Sequence, residues 1–396
     1  MVLEHDHDAE GRRPLVKIIV GGMISAVPGQ GGATWAVLQY LLGFTRLGHD
    51  AYFVEVLDDK VLQPVGADLN QSRNVRYCED VMQEYGLQHS WAIMRRGTRD
   101  TAGSSYDSLT RIAKETSVLI DVAGTLADVE LFSSVPIRVY LDLDPAFTQL
   151  WDTQGVDVRL DGHTHFFTVG QSIGTAACDV PAGGRTWRTT SPPVVLDHWP
   201  AGVRVSHDAF TTVANWRSYG SIEHNGIHYG QKAHSLRGLI TLPTRTAEHF
   251  LLALAIDEAE TADLAAMHVN GWQLTNPAHV AGSPSDYRRF IRESKAEFGV
   301  AKEGYVRSRS GWFSDRSVCY LAAGRPVLAQ NTGFSEHLPT GTGLVAFESG
   351  EDVLEGIESI NADYDRHADA ARQLAEEHFD SDKVLRRLLA EVGVSQ

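Results

Sequence analysis

The chain has 396 residues, 43% of them hydrophobic, and a formal net charge of −16. A chain this long exceeds one ordinary hydrophobic core, so we expect about two domains. The negative charge argues against a nucleic-acid or anionic-membrane surface, and every apolar run is too short for a membrane span. We therefore expect no nucleic-acid partner and no integral membrane segment.

The cysteines Cys78, Cys178 and Cys319 are widely spaced and form no CxxC or zinc pattern. An odd number of scattered cysteines favours a reducing compartment, so we expect a cytoplasmic protein. Residues 1–14 are acidic and contain histidines, without the apolar core of a secretory signal. We predict a disordered leader over these residues.

An α/β pattern opens at Lys17–Gly21, which has the composition of a short buried strand. After a glycine-rich loop, Thr34–Leu47 carries apolar residues at helical spacing, and Gly48 ends the helix. Ala51–Val56 is the next predicted strand and completes a βαβ unit. Later strands of this series are predicted at Val118–Val122, Ile137–Leu141 and His165–Val169.

A segment with three prolines, residues 189–200, separates this series from a second one. Strands of the second series are predicted at Phe210–Val213, Arg237–Leu242 (alternatively the start of a helix), Trp272–Leu274, Pro326–Gln330 and Leu344–Phe347. The predicted organisation is a first domain over 15–190, a linker over 191–204, a second domain over 205–375, and a C-terminal helix within 376–396 that packs back on the first domain.

The most informative segment, residues 308–317, combines a glycine turn with the start of a small-residue helix. Free N–H groups and the positive dipole end of such a helix bind phosphate well. Arg309 and Arg316 flank the turn and are suited to charge-assisted bonds. A second turn, residues 331–334, follows the next strand and could face the first. Two such turns predict a nucleotide-diphosphate site.

These motifs resemble those of a known fold family. Gly29–Thr34, a helix and then Leu47–Ala51 resemble the N-terminal signature of GT-B glycosyltransferases. Ser310–Ser314 is similar to the "CGWNS" element of plant-type members, and Ala323–Val327 is similar to the "A-x-G-x-PV" step of both large GT-B families. The resemblance implies an α/β chain with two Rossmann-like, doubly wound domains that face each other across a cleft.

Two departures identify a divergent, bacterial-type group. Arg309 stands where the plant-type motif has histidine, and Cys319 lies near the place of the second glutamate of the other family's E-x7-E pair. The carboxylates that usually serve the ribose and catalysis are therefore not where expected. Asp315 or Ser317 is the available substitute.

The resemblance implies a glycosyltransferase that moves a sugar from a nucleotide-diphosphate donor to a small-molecule or glycan acceptor. It also implies that no metal or other cofactor is required, and a homodimer is possible. The second domain would bind the donor and the first domain the acceptor. The expected donor-binding residues are Gly31, Gly32, Asn215, Lys232, Arg309, Ser310, Gly311, Trp312, Phe313, Asp315, Arg316, Thr332, Gly333 and Phe334.

Three residues are the catalytic candidates. Lys232 would neutralise the departing diphosphate. Asp144 or His163 would deprotonate the acceptor if the reaction inverts configuration, whereas a retaining reaction needs no such base. Asp142 and Asp144 also mimic the DxD metal motif of the other glycosyltransferase fold, since strand alternation would place both carboxylates on one face. The doubly wound pattern nevertheless favours GT-B, in which metal is generally unnecessary.

Three other functions remain open from the sequence. A GT-B nucleotide-sugar epimerase would need no acceptor pocket. A non-catalytic sugar- or nucleotide-binding protein would bind without turnover. A nicotinamide dehydrogenase would need an acidic residue for the ribose, and Glu55 is the nearest candidate after the second strand.

Overall fold

A computed structural model describes residues 16–394. The predicted leader, residues 1–14, lies outside the described residues. Within the described residues, none of the helices combines the length and apolar character needed to cross a membrane.

The first domain is built on an eight-stranded sheet of order β4-β3-β2-β1-β5-β6-β7-β8. All neighbouring strands are parallel except the antiparallel pair β3 and β4. Its strands are β1 Lys17–Gly21, β2 Asp50–Leu57, β3 Trp91–Arg95, β4 Thr101–Gly103, β5 Val118–Val122, β6 Ile137–Asp142, β7 His165–Thr168 and β8 Trp187–Thr189. The central strands β1 and β5 are almost wholly apolar because a parallel sheet is covered on both faces.

Four helices belong to this domain: α1 Gly31–Arg46, α2 Arg73–Glu84, α3 Tyr106–Glu115 and α4 Phe147–Thr153. The longest, α1, buries most of its residues, including Leu38, Leu41 and Phe44. Burial on nearly all sides shows that α1 is enclosed by neighbouring elements instead of lying on the surface.

The second domain contains a six-stranded, wholly parallel sheet of order β13-β12-β9-β14-β15-β16. A short antiparallel hairpin of β10 and β11 stands apart from it. The strands of this half are β9 His207–Asn215, β10 Ile222–His224, β11 Ile227–Tyr229, β12 Phe250–Ala255, β13 Gln273–Thr275, β14 Ser294–Gly299, β15 Val327–Gln330 and β16 Leu344–Phe347. Its helices are α5 Lys232–Arg237, α6 Thr261–Val269, α7 Pro277–Val280, α8 Pro284–Glu293, α9 Glu303–Ser308, α10 Asp315–Ala322, α11 Gly350–Ala362, α12 Tyr364–His378 and α13 Ser381–Glu391.

The second sheet differs from the sequence prediction in three places. Arg237–Leu242 is not a strand: Arg237 ends α5, and a short 3-10 turn begins at Leu242. β12 and β14 were not predicted. In β14 the polar residues Ser294 and Glu297 are fully buried, because Thr211 hydrogen-bonds Ser294 and Arg316 pairs with Glu297. Buried polar groups that are paired with other elements hide a buried strand from a hydrophobicity pattern.

The chain returns to the first domain at its C-terminal end. The Val194 N–H donates to Phe379 O over 2.8 Å, and the Ser381 N–H donates to Val194 O over 2.9 Å. α13 then packs on α1 so closely that a Cβ on Gly43 would lie 2.4 Å from Leu385 Cδ1. These contacts join the two halves behind the cleft, while the carboxyl ends of the two sheets face each other across it.

Candidate functional site

A cleft of about 920 Å³ lies between the carboxyl ends of the two sheets. The first domain contributes residues 28–33 and the end of β6, and the second contributes residues 213–218, 276–287 and 314–316. This size is at the upper end of typical ligand sites, which span about 300–1,000 Å³. It suits a ligand as large as a nucleotide sugar.

The glycine pair at the start of α1 lines the cleft and also contacts the other domain. A Cβ on Gly31 would lie 2.2 Å from Ser283 O, and one on Gly32 would lie 2.9 Å from the Tyr287 ring. The Gly31 N–H also donates to Ala281 O over 2.8 Å. Both glycines are therefore required for the close approach of α1 to the second domain. The sequence assigned them to donor binding and did not reveal this packing role.

The N-terminus of α10 points into the cleft. Ser314 caps it by accepting a hydrogen bond from the Arg316 N–H over 3.2 Å. Asp315, the first residue of α10, lines the cleft, and desolvation raises the pKa of its carboxyl although Arg316 and the neighbouring N–H groups oppose the shift. The positive end of the helix dipole favours an anion at this point.

Arg316, the next residue of α10, turns away from that position. Its Nε donates to Glu297 Oε1 over 2.6 Å and its Nη1 to Val213 O over 3.0 Å. Glu297 is completely buried, so the guanidinium balances a charge that would otherwise be unpaired. Arg316 lines the cleft as predicted, but its charge is already committed to Glu297.

Lys232 is a partly buried cation of the cleft that has no carboxylate partner among the described residues. It is the first residue of α5, and its Nζ donates to Val300 O. Within residues 16–394 no carboxylate lies within ion-pairing distance of this ammonium. Burial lowers the pKa of Lys232 well below its usual value, and the charges of Arg316 and Lys302 lower it further. A bound anion would remove this penalty, so the site is prepared for a phosphate.

Asp144 lies at the end of the first domain's β6 and is held by the second domain. Its Oδ1 accepts hydrogen bonds from Tyr219 Oη over 2.5 Å, from Lys302 Nζ over 2.8 Å and from Tyr305 Oη. Desolvation opposes ionisation of Asp144, but the Lys302 ammonium and these hydroxyls outweigh it and lower its pKa. A carboxylate with a lowered pKa is a weak base. Its three hydrogen bonds to second-domain residues connect the two domains.

Asp142 has a different environment from Asp144. It is buried and accepts hydrogen bonds from four donors at 2.7–2.9 Å: the Asp144 N–H, Thr148, Gln149 and Thr168. The expectation that the two carboxylates share one face is wrong, because β6 ends at Asp142 and strand alternation stops there. Asp142 fixes the turn that delivers Asp144 to the cleft.

His163 does not reach the cleft. Its side chain is 2% exposed, with Nε2 at 3.1 Å from Asp121 Oδ2 and Nδ1 at 3.1 Å from Leu160 O. Both ring nitrogens are thus engaged inside the first domain, and the ring packs edge-on against Tyr140. This corrects the prediction that His163 is a base for the acceptor.

The two predicted phosphate turns hold each other together behind the cleft. The Gly311 N–H donates to Thr332 O over 2.9 Å, and the Thr332 hydroxyl donates to Trp312 O. Phe313 packs on Phe334 in the core. The following predicted donor residues consequently do not line the cleft: Arg309, Ser310, Gly311, Phe313, Thr332, Gly333 and Phe334.

Arg309 is the clearest of these corrections. It ends α9 in a left-handed conformation with φ of 47°, and its side chain points to solvent. Its guanidinium pairs with Glu336 at 2.6 Å, and both side chains are about half exposed. Of the remaining predicted donor residues, the structure brings to the cleft Gly31, Gly32, Asn215, Lys232, Trp312, Asp315 and Arg316.

Three residues of the site were not predicted from the sequence. Lys302 and Tyr305 line the cleft, and Tyr219 donates a hydrogen bond to Asp144. Each follows the carboxyl end of a strand, β9 for Tyr219 and β14 for the other two. The rule that ligands bind beyond these ends applies to Tyr219 after the predicted β9, and it would have identified Lys302 and Tyr305 had β14 been recognised.

Glu55 is occupied inside the first domain. Its carboxylate accepts hydrogen bonds from the backbone N–H groups of Ile24, Ser25 and Ala26 at 2.6–3.1 Å. Burial raises the pKa of Glu55 to about 7, although these N–H groups oppose the shift. A carboxylate that anchors its own loop leaves the dehydrogenase alternative without its ribose-binding residue.

One group of possible metal ligands occurs within the described range 16–394. Ligand atoms of His228, His234 and Glu303 all lie within 4.8 Å of one another. His234 Nδ1 accepts the Gln231 N–H over 2.9 Å, which leaves the proton on the other ring nitrogen and opposes metal ligation there. The expectation that the protein needs no metal stays a prediction.

Comparisons with known proteins bear on this geometry. Residues 245–390 match the family model described as glycosyl transferase-like, whereas no curated protein sequence matches the chain. An alpha-glucosyltransferase solved with UDP and mismatched DNA is 11% identical, with a TM-score of 0.59 over 95% of this chain and 98% of that one. HepE from Anabaena, solved with UDP and glucose, is 11% identical, with a TM-score of 0.58 over 96% and 100%. A glycosyltransferase from Rickettsia africae is 12% identical, with a TM-score of 0.51 over 95% and 98%. The predicted fold class is confirmed.

The exclusion of a nucleic-acid partner is corrected by the same comparisons. Structures of this fold include alpha-glucosyltransferase complexes with DNA that contains a mismatch, a modified base or an abasic site. The net charge of −16 therefore gives no reason to exclude nucleic acid. A local basic surface, not the net charge of the chain, decides such binding.

Proposed function

We propose that this chain, a glycosyltransferase of the GT-B fold that uses a nucleotide sugar, takes its sugar from a UDP-linked donor bound beside α10 and Lys232. The single observation that carries the proposal is the Lys232 ammonium, which lies in the cleft without a carboxylate. The structural neighbours solved with UDP support the choice of nucleotide. Glucose is the first sugar to test, because it occurs in one of those complexes.

The proposed mechanism places the leaving diphosphate between Lys232 and the N-terminal end of α10. As the glycosidic bond breaks, negative charge grows on the diphosphate, and both groups stabilise it more strongly than in the ground state. Lys302 adds positive charge from the same side but shares it with Asp144. Asn215 and Asp315, which also line the cleft, offer polar groups to the hydroxyls of the donor.

The stereochemical course determines whether Asp144 acts as a base. An inverting reaction needs a carboxylate that is free to accept the acceptor proton, and Asp144 would first have to leave Lys302, Tyr219 and Tyr305. A retaining reaction needs no such base, and Asp144 would then hold the two domains in register. Its present contacts favour the second role.

A small molecule or a glycan is the proposed acceptor. The second candidate is nucleic acid, which is favoured by the DNA-bound structures of the same fold. The observation that three cysteines are buried and free is consistent with the proposed cytoplasmic location, where thiols stay reduced.

We further propose that transfer needs no divalent cation, because Lys232, Lys302 and the α10 N-terminus already supply positive potential to the diphosphate. Turnover of UDP-glucose should then survive treatment with EDTA. Loss of activity in EDTA, with recovery on adding Mg²⁺ or Zn²⁺, would contradict this part.

The central test is calorimetric titration with UDP and with uridine. UDP should bind far more tightly than uridine, because only UDP carries the diphosphate. Incubation with UDP-glucose alone, followed by NMR, then separates the alternatives. Slow hydrolysis indicates a transferase without its acceptor, a changed sugar configuration indicates an epimerase, and an unchanged donor indicates a binding protein. A protein that binds neither UDP nor uridine would overturn the proposal.

A further inference from the structure

A second, smaller cavity of about 160 Å³ lies beside the cleft, between α1 and the start of α10. Its walls come from both domains and from the proline pair of the connecting segment. The residues that shape it are mainly apolar or aromatic: Trp35, Ala36, Leu143, Pro192, Pro193 and Phe313. Leu143, Tyr287, Trp312 and Asp315 line both this cavity and the cleft, so the two spaces adjoin.

One polar group in this cavity has no partner. Tyr40 lines the cavity, its side chain is 2% exposed, and its hydroxyl forms no hydrogen bond with any described residue. A buried hydroxyl without a hydrogen-bond partner destabilises the folded protein. Most buried polar groups in native proteins are satisfied, so an unpaired hydroxyl beside a cavity suits a ligand that can form a hydrogen bond with it.

We propose that this cavity binds the apolar, ring-sized end of a hydroxylated acceptor, with Tyr40 available to its hydroxyl group. The inference rests on the proposed glycosyl transfer and specifies its acceptor as a small aromatic or alicyclic alcohol. Asp315 lies at the junction of the two spaces, so a hydroxyl at the mouth of the cavity would meet the donor sugar there.

Size and polarity define this ligand class. An apolar cavity of about 150 Å³ accepts one benzene ring, and a larger flat ligand would not fit without rearrangement. An anionic ligand is disfavoured, because none of the residues that line the cavity is a cation and Asp315 is one of them. A nucleobase is disfavoured for a related reason: its edge carries several polar atoms, and the cavity offers few partners.

Binding of two matched probes tests the cavity directly. ¹⁹F NMR would follow 4-fluorophenol and fluorobenzene, which differ by one hydroxyl, in the presence of saturating UDP. We expect 4-fluorophenol to bind about two- to tenfold more tightly, because a hydrogen bond to Tyr40 satisfies both hydroxyls. In Tyr40→Phe that preference should disappear while fluorobenzene binding persists. Equal binding of the two probes by the unmodified protein would overturn the role of Tyr40.

A cavity-filling variant gives the second readout. Ala36 lines the cavity from α1, so Ala36→Leu should abolish binding of both probes and leave UDP binding unchanged. Ala390→Leu, at an exposed position of α13, is the matched control and should change neither. Undiminished probe binding in Ala36→Leu would place the probes elsewhere and overturn the inference.

The two levels of the proposal fail differently. If UDP binds but neither probe does, the cavity inference is wrong and the donor site stands. If UDP does not bind, the proposed function fails whatever the probes do. If a single-stranded oligonucleotide displaces 4-fluorophenol and accepts sugar from UDP-glucose, the acceptor is nucleic acid and the small-molecule class is wrong.

Discussion

Lys232 and Lys302 line the same cleft, and burial lowers the pKa of both, but the two lysines differ in their partners. Lys302 donates to Asp144 and to Tyr219, so its charge is balanced within the protein. Lys232 donates to the backbone carbonyl of Val300, and its pKa is lowered well below the usual value by burial. The difference shows which lysine holds the domains together and which is left for a ligand. A buried lysine without a counter-ion destabilises the folded protein, and a bound anion would remove this destabilisation.

Substitution of Lys232 gives the most direct test of the difference between the two lysines. In Lys232→Met we expect UDP affinity to fall about 10- to 100-fold, as charge-assisted hydrogen bonds contribute about 1.5–3 kcal/mol each. Uridine affinity should stay the same, since uridine has no phosphate. Calorimetric titration measures both. Lys60→Met removes an exposed lysine of the first domain and serves as the control. Equal losses for UDP and uridine would show that Lys232 does not contact the diphosphate.

The pH dependence of UDP binding sharpens the same point. With its pKa lowered, Lys232 loses its proton in the free protein at a lower pH than an ordinary lysine does. A bound diphosphate favours the charged form, so binding takes up a proton and UDP affinity should fall as pH rises through that pKa. Titrations in buffers of different ionisation enthalpy measure the uptake. The uptake should vanish in Lys232→Met; its persistence there would assign it to another group.

Lys302→Met should have a smaller effect on the ligand and a larger one on the protein. We expect UDP affinity to fall less than tenfold, because the charge of Lys302 is already shared with Asp144. The unfolding temperature should drop, since Asp144 would lose its counter-ion while remaining partly buried. Thermal unfolding with and without UDP measures both effects, and Lys302→Arg should restore stability. A loss of UDP affinity as large as that of Lys232→Met would remove the distinction between the two lysines.

Arg309→Ala should have the smallest effect. The Arg309–Glu336 pair is exposed, and such pairs contribute about 0–1 kcal/mol. We expect UDP affinity to change less than twofold, as measured by the same titration. A tenfold loss would mean that Arg309 swings into the cleft on binding, and would restore the prediction made from the sequence.

The local pattern predicted five of the eight strands of the first sheet and missed β3, β4 and β8. β1 and β5 have the predicted bounds, because each is a continuous apolar run between turn residues. β14 could not be found in this way, since its buried Glu297 is balanced by Arg316, which lies in a different element. Lys302 follows β14 and was missed with it.

The sequence predicted which residue types belong to the site, but it did not predict which of the side chains point into the cleft. Of the segment that dominated the sequence analysis, Trp312, Asp315 and Arg316 reach the cleft, whereas Arg309 and Phe313 do not. The Thr332 hydroxyl binds Trp312 O, so the second turn contacts the first turn instead of a ligand. No spacing rule indicates that two glycine turns will hydrogen-bond to each other.

The sequence by itself predicted the two α/β halves from period and punctuation, which are local properties, and its short motifs carried the resemblance to GT-B glycosyltransferases. The tertiary structure alone decided which charges are free. Asp144 bridges the two domains because Lys302 of the second domain donates to it. His163 is held inside the first domain by its contact with Asp121, and Lys232 has no carboxylate partner. Pairing of charges depends on distances across domains, and those distances exist only once the chain has folded.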